Sequence, residues 1–331
     1  MKIVQHTTKA VLTALILLSA CVEDPGMEGP LLEDLYGDFT LLEDLDKSMD
    51  EVDFAQGERI YFTARFNKTT NWELRLNGLT SGAEKLIEGF SSEVDQSNSE
   101  WDGTASTPPF FRAEKVAVSL YIPEDSLTLT DTVQVLSPKV HEGFLVTDFE
   151  SGENSGWEVF KQSGGQMSFV IDDADIAAQG QYYYDMGGEV NWDWLIGYIY
   201  IPSSSFPDSV LNGGTTLPLP SNPNQVFLNM LVYSPPGINN ELLLIRINED
   251  DNLDGNYNGG TEDQWSVELR EVQDGWSVVS LRYSDLQALI ESQPVNPAGN
   301  GLHEPDKIDR IEFLFLAEPS SGYSQMYMDY I

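Results

Sequence analysis

An acidic loop carries the sharpest chemical motif of the sequence. Asp250, Asn252, Asp254 and Gly255 occupy positions 1, 3, 5 and 6 of the calcium-loop pattern D-x-[DN]-x-[DN]-G. Alternate side-chain oxygens of such a loop turn inward onto a cation, and glycine permits the sharp turn. The twelfth position is Thr261 instead of a bidentate glutamate, and the flanking segments read as strands, so the loop is not an EF-hand. We expect calcium at Asp250, Asn252 and Asp254, with a solvated Asx-rich hairpin loop as the alternative.

Aromatic side chains form the second group of candidates, because Trp and Tyr rings stack on the C–H faces of sugars. Trp192 and Trp194 are two residues apart, so a strand would point both to one face. Trp192 lies in a polar stretch, which favours exposure. Trp194 leads into an apolar strand, which favours a core position, and ligand binding is its alternative. The other predicted ligand-binding residues are Tyr182, Tyr184, Tyr257 and Trp265.

Catalytic constellations are weak in this sequence. His6 belongs to the N-terminal leader, and His141 and His303 lie in a linker and a glycine-rich loop, so neither suggests a buried base. Nucleophile-elbow, zinc-protease and phosphate-loop motifs are absent. The E-x-D-x-(x)-E signature of jelly-roll β-glucanases is absent too. We therefore expect no enzyme, with a jelly-roll glycoside hydrolase or lyase as the alternative, since 54 carboxylates guarantee some close pairs.

The charge of the chain narrows the class of ligand. Its 331 residues include 17 Lys and Arg against 54 Asp and Glu, a net charge of −37. Such a charge repels phosphate backbones and argues against nucleic acid, and also against anionic polysaccharides. Aromatic residues make up 11% of the chain, which argues against a disordered acidic chain. A neutral ligand that stacks on aromatic rings fits this balance best.

The N-terminus reads as an export signal. Lys2 and Lys9 precede an apolar run over residues 10–18, which is too short to span a bilayer. Residues 18–21, Leu-Ser-Ala-Cys, resemble the lipobox of bacterial lipoproteins, which implies that Cys21 carries a lipid. An ordinary signal peptide with an incidental cysteine is the alternative. Cys21 is the only cysteine, so the mature fold has no disulfide. The acidic tether 22–35 resembles the surface-export signal of Bacteroidetes lipoproteins, which implies exposure on the outer membrane.

The elements that position these residues read almost entirely as β-strands from residue 36 onward. Short runs rich in Val, Ile, Tyr, Phe and Thr alternate with Gly, Pro, Asn and Asp. One helix is predicted over 284–292, with Ser284 as N-cap and apolar residues at 286, 289 and 290. A boundary near residues 137–143 divides the chain into two parts. Residues 36–138 hold about seven short strands, with the size and spacing of an immunoglobulin-like sandwich. Residues 143–331 form one all-β unit.

Both halves resemble domains of known proteins. The segments 71–78, 81–83 and 100–103 are similar to the immunoglobulin-like modules of Bacteroidetes glycan-capture lipoproteins. The second half opens with Asp-Phe-Glu-Ser-Gly at 148–152 and Gly-Trp at 156–157, and closes with Asp-Tyr-Ile at 329–331. These ends resemble galactose-binding-like β jelly rolls. Five short segments between these ends resemble parts of the ligand-binding domain of polysaccharide-utilisation surface proteins. They are residues 191–197, 248–255, 261–265, 274–276 and 280–285.

This resemblance implies a surface lipoprotein that captures a polysaccharide without cleaving it. A neutral, β-glucan-like glycan and delivery to an outer-membrane importer are expected, with avidity from several anchored copies. The resemblance also implies a structural calcium between the first and last strands, at Asp148 or Glu150 with Asp329. A calcium-dependent adhesion or structural lipoprotein that binds protein partners through its first half is the second alternative.

Overall fold

The computed structural model describes residues 37–331 except 142, 239 and 271. The predicted signal peptide 1–21 with Cys21 and the tether 22–35 therefore lie outside the described residues. Within the described part, no helix has the length and apolarity to cross a membrane. The predicted all-β class is confirmed, since this part holds eighteen strands and only two α-helices, each of four residues.

Six strands of the first half pair into one curled sheet in the order β1-β3-β5-β6-β2, with β4 also pairing with β3. The pairing of the long strand β3 with β4 shifts in register between Arg65 and Thr70. The first part of β3 also pairs with β1, and its last part also pairs with β5. The immunoglobulin-like assignment of this half stays a prediction. The elements are β1 (Leu41–Lys47), β2 (Glu51–Asp53), β3 (Phe62–Gly78), β4 (Glu84–Val94), helix α1 (Gln96–Ser99), β5 (Lys115–Ile122) and β6 (Leu127–Ser137).

The core of the first half follows from alternation along β3. Trp72, Leu74 and Leu76 are two residues apart and fully buried, as their spacing predicts. Trp72 lies opposite Gly89 of β4, and a Cβ at Gly89 would overlap the indole ring. The indole Nε1 donates a hydrogen bond to the hydroxyl of Ser91, 2.9 Å away. The absence of a side chain at Gly89 thus makes room for this tryptophan.

The second half is a jelly-roll sandwich of two antiparallel five-stranded sheets. Sheet I has the order β13-β12-β17-β10-β7, and sheet II has the order β14-β11-β18-β9-β8. One large apolar core fills the space between them. The elements are β7 (Glu158–Lys161), β8 (Gly165–Asp172), β9 (Tyr183–Glu189), β10 (Leu195–Pro202), α2 (Asp208–Leu211), β11 (Phe227–Ser234), β12 (Glu241–Glu249), β13 (Gln264–Arg270), β14 (Gly275–Arg282), β15 (Leu289–Ile290), β16 (Gln293–Pro294), β17 (Ile308–Ala317) and β18 (Ser324–Asp329).

The predicted helix over 284–292 is wrong. A 3-10 turn at Tyr283–Asp285 is followed by extended chain, in which Leu286 and Ala288 are buried two residues apart. Gln287 forms two backbone hydrogen bonds with Ser266 of β13, at 2.7 and 3.1 Å. Pairing with the sheet and burial of alternate side chains outweigh the weak helical pattern of so short a segment.

The two halves meet on the side of sheet II. Backbone N–H of Phe110 donates to the carbonyl of Ala178 (2.7 Å), and Arg112 donates to the carbonyl of Ala177 (3.0 Å). The neighbouring residue Ile176 accepts a hydrogen bond from the indole of Trp276 on β14. The outer face of sheet I lies on the opposite side of the core and takes no part in these contacts.

Candidate functional site

The outer face of sheet I carries a group of aromatic and charged side chains that the core does not use. Along β10, Ile199 and Ile201 point into the core, so Tyr198 and Tyr200 point outward. Along β17, Ile311, Phe313 and Phe315 are the inward residues, and Arg310 and Glu312 are the outward ones, by the same alternation.

Four aromatic residues at this face form what we call the aromatic row, namely Phe160 of β7, Tyr198 and Tyr200 of β10, and Tyr257 of the acidic loop. Phe160 is paired with Tyr198 across β7 and β10, and their ring centroids are 5.3 Å apart. Tyr198 and Tyr200 stack at 3.9 Å with an interplanar angle of 12°. The guanidinium carbon of Arg310 lies 5.4 Å from the ring centroids of both Tyr200 and Tyr257. This cation–π contact connects the loop tyrosine to the row.

A polar cluster adjoins the aromatic row, and its members are Arg246, Asn248, Gln264, Arg310 and Glu312. The amide of Asn248 donates to Glu312 (2.6 Å) and accepts from the amide of Gln264 (2.7 Å). Arg310 Nε lies 3.3 Å and Arg246 Nη1 3.9 Å from the carboxylate of Glu312. Both arginine side chains remain partly exposed, at 29% for Arg246 and 23% for Arg310. The cluster therefore offers fixed hydrogen-bond donors beside aromatic rings.

The carboxyl of Glu312 gives this face a pH dependence. Burial raises the pKa of Glu312, and Arg310, Asn248 and Arg246 oppose the shift. The folded protein therefore binds a proton at Glu312 more tightly than the unfolded chain does. The resulting contribution of Glu312 to the free energy of unfolding is present below the ordinary glutamate pKa. It is lost as the pH rises through the raised pKa of the folded state. We expect the melting temperature of Glu312→Gln to decrease less steeply with rising pH than that of the unmodified protein. Thermal denaturation of both proteins between pH 4 and 8 measures this, and identical slopes would contradict it.

Trp192 and Trp194 lie in the loop between β9 and β10, directly before the first residue of the strand that carries Tyr198. Their side chains are 61% and 50% exposed, so the core position considered for Trp194 is wrong. The carboxylate of Asp193 between them accepts from Gln162, which follows β7, at 3.4 Å. Both tryptophans are available to a ligand, and their binding role stays a prediction.

Two of the predicted ligand-binding aromatics are buried in the core. Tyr184 points inward from β9 and packs against Phe149 and Phe169. Trp265 points inward from β13 and stacks on His303, with centroids 3.7 Å apart. Rings enclosed in this way present no face to a sugar, so these two predictions do not hold. Tyr182 is half-buried and packs against the same core.

The aromatic row shows what the sequence reasoning missed. Tyr257 is the one predicted residue in the row, whereas Phe160, Tyr198 and Tyr200 were not among the candidates. The alternation Ile-Gly-Tyr-Ile-Tyr-Ile of β10 predicts the outward position of Tyr198 and Tyr200, because inward isoleucines require outward tyrosines.

The side chains of the acidic motif are engaged in hydrogen bonds of their own loop. Asp250 is fully buried, and its carboxylate accepts from the backbone N–H of Asp254 (3.1 Å) and Gly255 (2.6 Å). The amide of Asn252 donates to Glu262 at 2.8 Å. These contacts match the Asx-rich loop that was the alternative. Calcium at Asp250, Asn252 and Asp254 stays a prediction that these contacts do not favour.

Backbone N–H groups occupy the second predicted calcium site. Asp329 Oδ2 accepts from the N–H groups of Ala178 and Gln179, at 3.1 and 2.9 Å. Glu150 Oε1 accepts from two further N–H groups, of residues 181 and 182, while Asp148 Oδ1 accepts from the N–H of Glu150. Burial raises the pKa of Asp329 to about 8, and the charge of Glu150 adds to the shift. Calcium at Asp148 or Glu150 with Asp329 stays a prediction.

Comparison with known proteins gives matches in structure alone. No family model matches the chain, and no curated protein matches it in sequence. It is similar to a family 11 carbohydrate-binding module from Clostridium thermocellum, solved with a β-1,3-1,4-mixed-linked tetrasaccharide, at a TM-score of 0.36 and 16% identity over 56% of this chain and 91% of that one. It is also similar to SGBP-B from a xyloglucan utilization locus of Bacteroides uniformis, at a TM-score of 0.32 and 11% identity over 88% of this chain and 71% of that one. A carbohydrate-binding module specific for non-crystalline cellulose matches at a TM-score of 0.32 and 13% identity, over 57% of this chain and 94% of that one.

Proposed function

We propose that this protein binds a neutral polysaccharide, without cleaving it, on the outer face of sheet I. The observation that carries the proposal is the aromatic row, in which Phe160, Tyr198 and Tyr200 stack side by side on two neighbouring strands. Aromatic rings fixed on rigid strands meet the apolar faces of pyranose rings with little loss of side-chain entropy. An extended glycan that lies along such a row contacts several rings at once.

The polar cluster supplies the other half of carbohydrate recognition. Sugar hydroxyls need donors and acceptors at fixed positions, and Arg246, Arg310 and Glu312 are held there by mutual contacts. The net charge of −37 would repel an anionic glycan, so the charge of the chain supports a neutral ligand. Within that class, a β-glucan-like polymer is the ligand we propose.

The N-terminal sequence supports a role at the cell surface. A lipid on Cys21 and the acidic tether 22–35 would hold the binding domain on the outside of the outer membrane. The first half would then act as a spacer, and the second half would capture glycan for an importer in the same membrane. Several anchored copies raise the effective affinity for a long polymer.

An affinity-gel screen tests the proposal directly. Residues 22–331 are run through native gels that contain one neutral or one anionic polysaccharide each, with calcium and with a chelator. We expect retardation by one neutral glycan class, with the glycan recovered undegraded. Absence of retardation in every gel would overturn glycan binding, and depolymerisation that Glu312→Gln abolishes would replace binding by hydrolysis.

A further inference from the structure

The outer face of sheet II carries a second line of aromatic side chains, which we call the cross-strand row. Trp276 of β14 is paired with Tyr233 of β11, and Tyr233 is paired with Tyr327 of β18. Val232 and Met328, the adjacent residues on β11 and β18, lie in the core, so the tyrosines point to the opposite face. Residues paired across antiparallel strands project to the same side, so three neighbouring strands contribute one ring each to this row.

The rings of the cross-strand row are fixed by their contacts. The ring centroids of Tyr233 and Tyr327 are 5.2 Å apart with an interplanar angle of 12°, and those of Tyr233 and Trp276 are 5.3 Å apart. Tyr183 of β9 is buried beside the row, with its centroid 4.8 Å from that of Tyr327. The indole N–H of Trp276 donates to the carbonyl of Ile176, which sets the orientation of that ring. A ligand therefore meets rings that need little rearrangement.

Hydrogen-bonding side chains continue the row on the next strands. Asp185 of β9 is paired with Tyr327. Its carboxylate accepts from the hydroxyl of Ser168 on β8 (2.6 Å) and from the amide of Gln325 on β18 (3.0 Å). Ser168 and Gln325 are both partly exposed. This face thus combines aromatic rings with polar groups at fixed positions, which are the two components of carbohydrate recognition.

The first half leaves this part of sheet II open to solvent. The three rings of the row are each partly exposed. Val278, two residues along β14 from Trp276, is 59% exposed, and Val170, which is paired with Asp185 at the other end of the row, is 44% exposed. The hydrogen bonds to the first half are made by the backbone of residues 177 and 178 instead. Exposed apolar side chains at both ends of a fixed aromatic row are typical of an interaction surface.

We propose that the cross-strand row is a second glycan-binding surface, on the side of the jelly roll opposite to the aromatic row. Its ligand belongs to the same class of neutral polysaccharide, and in this respect the inference rests on the proposed function. The rings contact the apolar faces of pyranose units, while Asp185 and Gln325 accept from and donate to sugar hydroxyls.

The two surfaces differ in strength. Charged guanidinium groups of Arg246 and Arg310 serve sheet I, whereas the donors on sheet II are the neutral side chains of Ser168 and Gln325. Hydrogen bonds from charged groups are the stronger ones, so sheet II binds a short oligosaccharide more weakly than sheet I does. A long polymer that engages both faces is nevertheless held at two points, which raises its effective affinity.

The variant Tyr233→Ala/Tyr327→Ala separates the two surfaces. In native gels that contain the retained polysaccharide, we expect about a tenfold loss of affinity, because binding at two points is lost. Titration with an oligosaccharide too short to reach both faces should give the affinity of the unmodified protein, because that ligand binds sheet I. Phe227→Ala is the matched control and should keep both affinities, since Phe227 lies on the same strand as Tyr233 but at its opposite end.

Hydroxyl-radical footprinting of the unmodified protein keeps the test decisive if the double variant fails to fold. Bound polysaccharide should suppress most of the oxidation of Trp276, Tyr233 and Tyr327, and should leave that of Phe227 unchanged. Equal retardation of the double variant, with no protection of the three rings, would overturn the second surface and leave glycan binding on sheet I intact. An unmodified protein that no polysaccharide retards would overturn both proposals. Loss of oligosaccharide affinity in the double variant would mean that sheet II holds the main site, and two separate surfaces would then be wrong.

Discussion

Replacement of both Tyr198 and Tyr200 by alanine should lower the affinity for the captured glycan at least about 100-fold. The two rings stack on each other and form the centre of the aromatic row, so a sugar that lies on the row loses its main apolar contacts. Truncation of a central aromatic residue typically costs about 2 kcal/mol or more, and each 1.4 kcal/mol is about tenfold in affinity. Both rings lie outside the core, so the fold should survive the change.

Isothermal titration with an oligosaccharide of the retained glycan measures this loss. Phe227→Ala is the matched control, because Phe227 is 49% exposed on sheet II and its removal leaves sheet I untouched. Equal melting temperatures of the variants exclude a folding defect. Full affinity in the tyrosine double variant would remove the site from sheet I. Loss of binding in Trp192→Ala alone would instead place it at the loop before β10.

The sequence predicts the class of fold better than the orientation of individual rings. Strand identity depends on local alternation, which is why the β-rich second half and the core position of Trp72 are correct. Whether a residue such as Tyr184 points inward depends on which neighbouring strands enclose it, and those contacts are distant in sequence. Trp265 is buried for the same reason, since its partner His303 lies on another loop.

The acidic residues show the same limit at shorter range. The loop motif places Asp250 first, yet the structure turns its carboxylate toward the backbone N–H of residues 254 and 255. The converging carboxylates are its neighbours Glu249 and Asp251 together with Asp263, which the glycine loop 299–301 holds in place. Spacing along one loop cannot reveal that arrangement, because it depends on a second loop.

Trp101→Ala should lower the free energy of unfolding of the first half by about 3–5 kcal/mol. If the first half acts only as a spacer, the same change should leave the glycan affinity unchanged. The indole of Trp101 is completely buried between Phe54 and Phe111, with centroids 4.7 Å from each, and its Nε1 donates to the carbonyl of Thr104 at 2.9 Å. Removal of the ring leaves a cavity and an unsatisfied carbonyl, which together explain the size of the loss.

Calorimetry should resolve this change as an earlier transition of the first half, followed by the transition of the jelly roll. Leu79→Ala, at a residue 61% exposed in the same half, is the control and should leave both transitions in place. Glycan affinity should not change at a temperature where the second half is folded, because the two halves meet on the side of sheet II and the aromatic row lies on sheet I. A parallel loss of affinity would mean that the first half takes part in binding, and the spacer role would then be wrong.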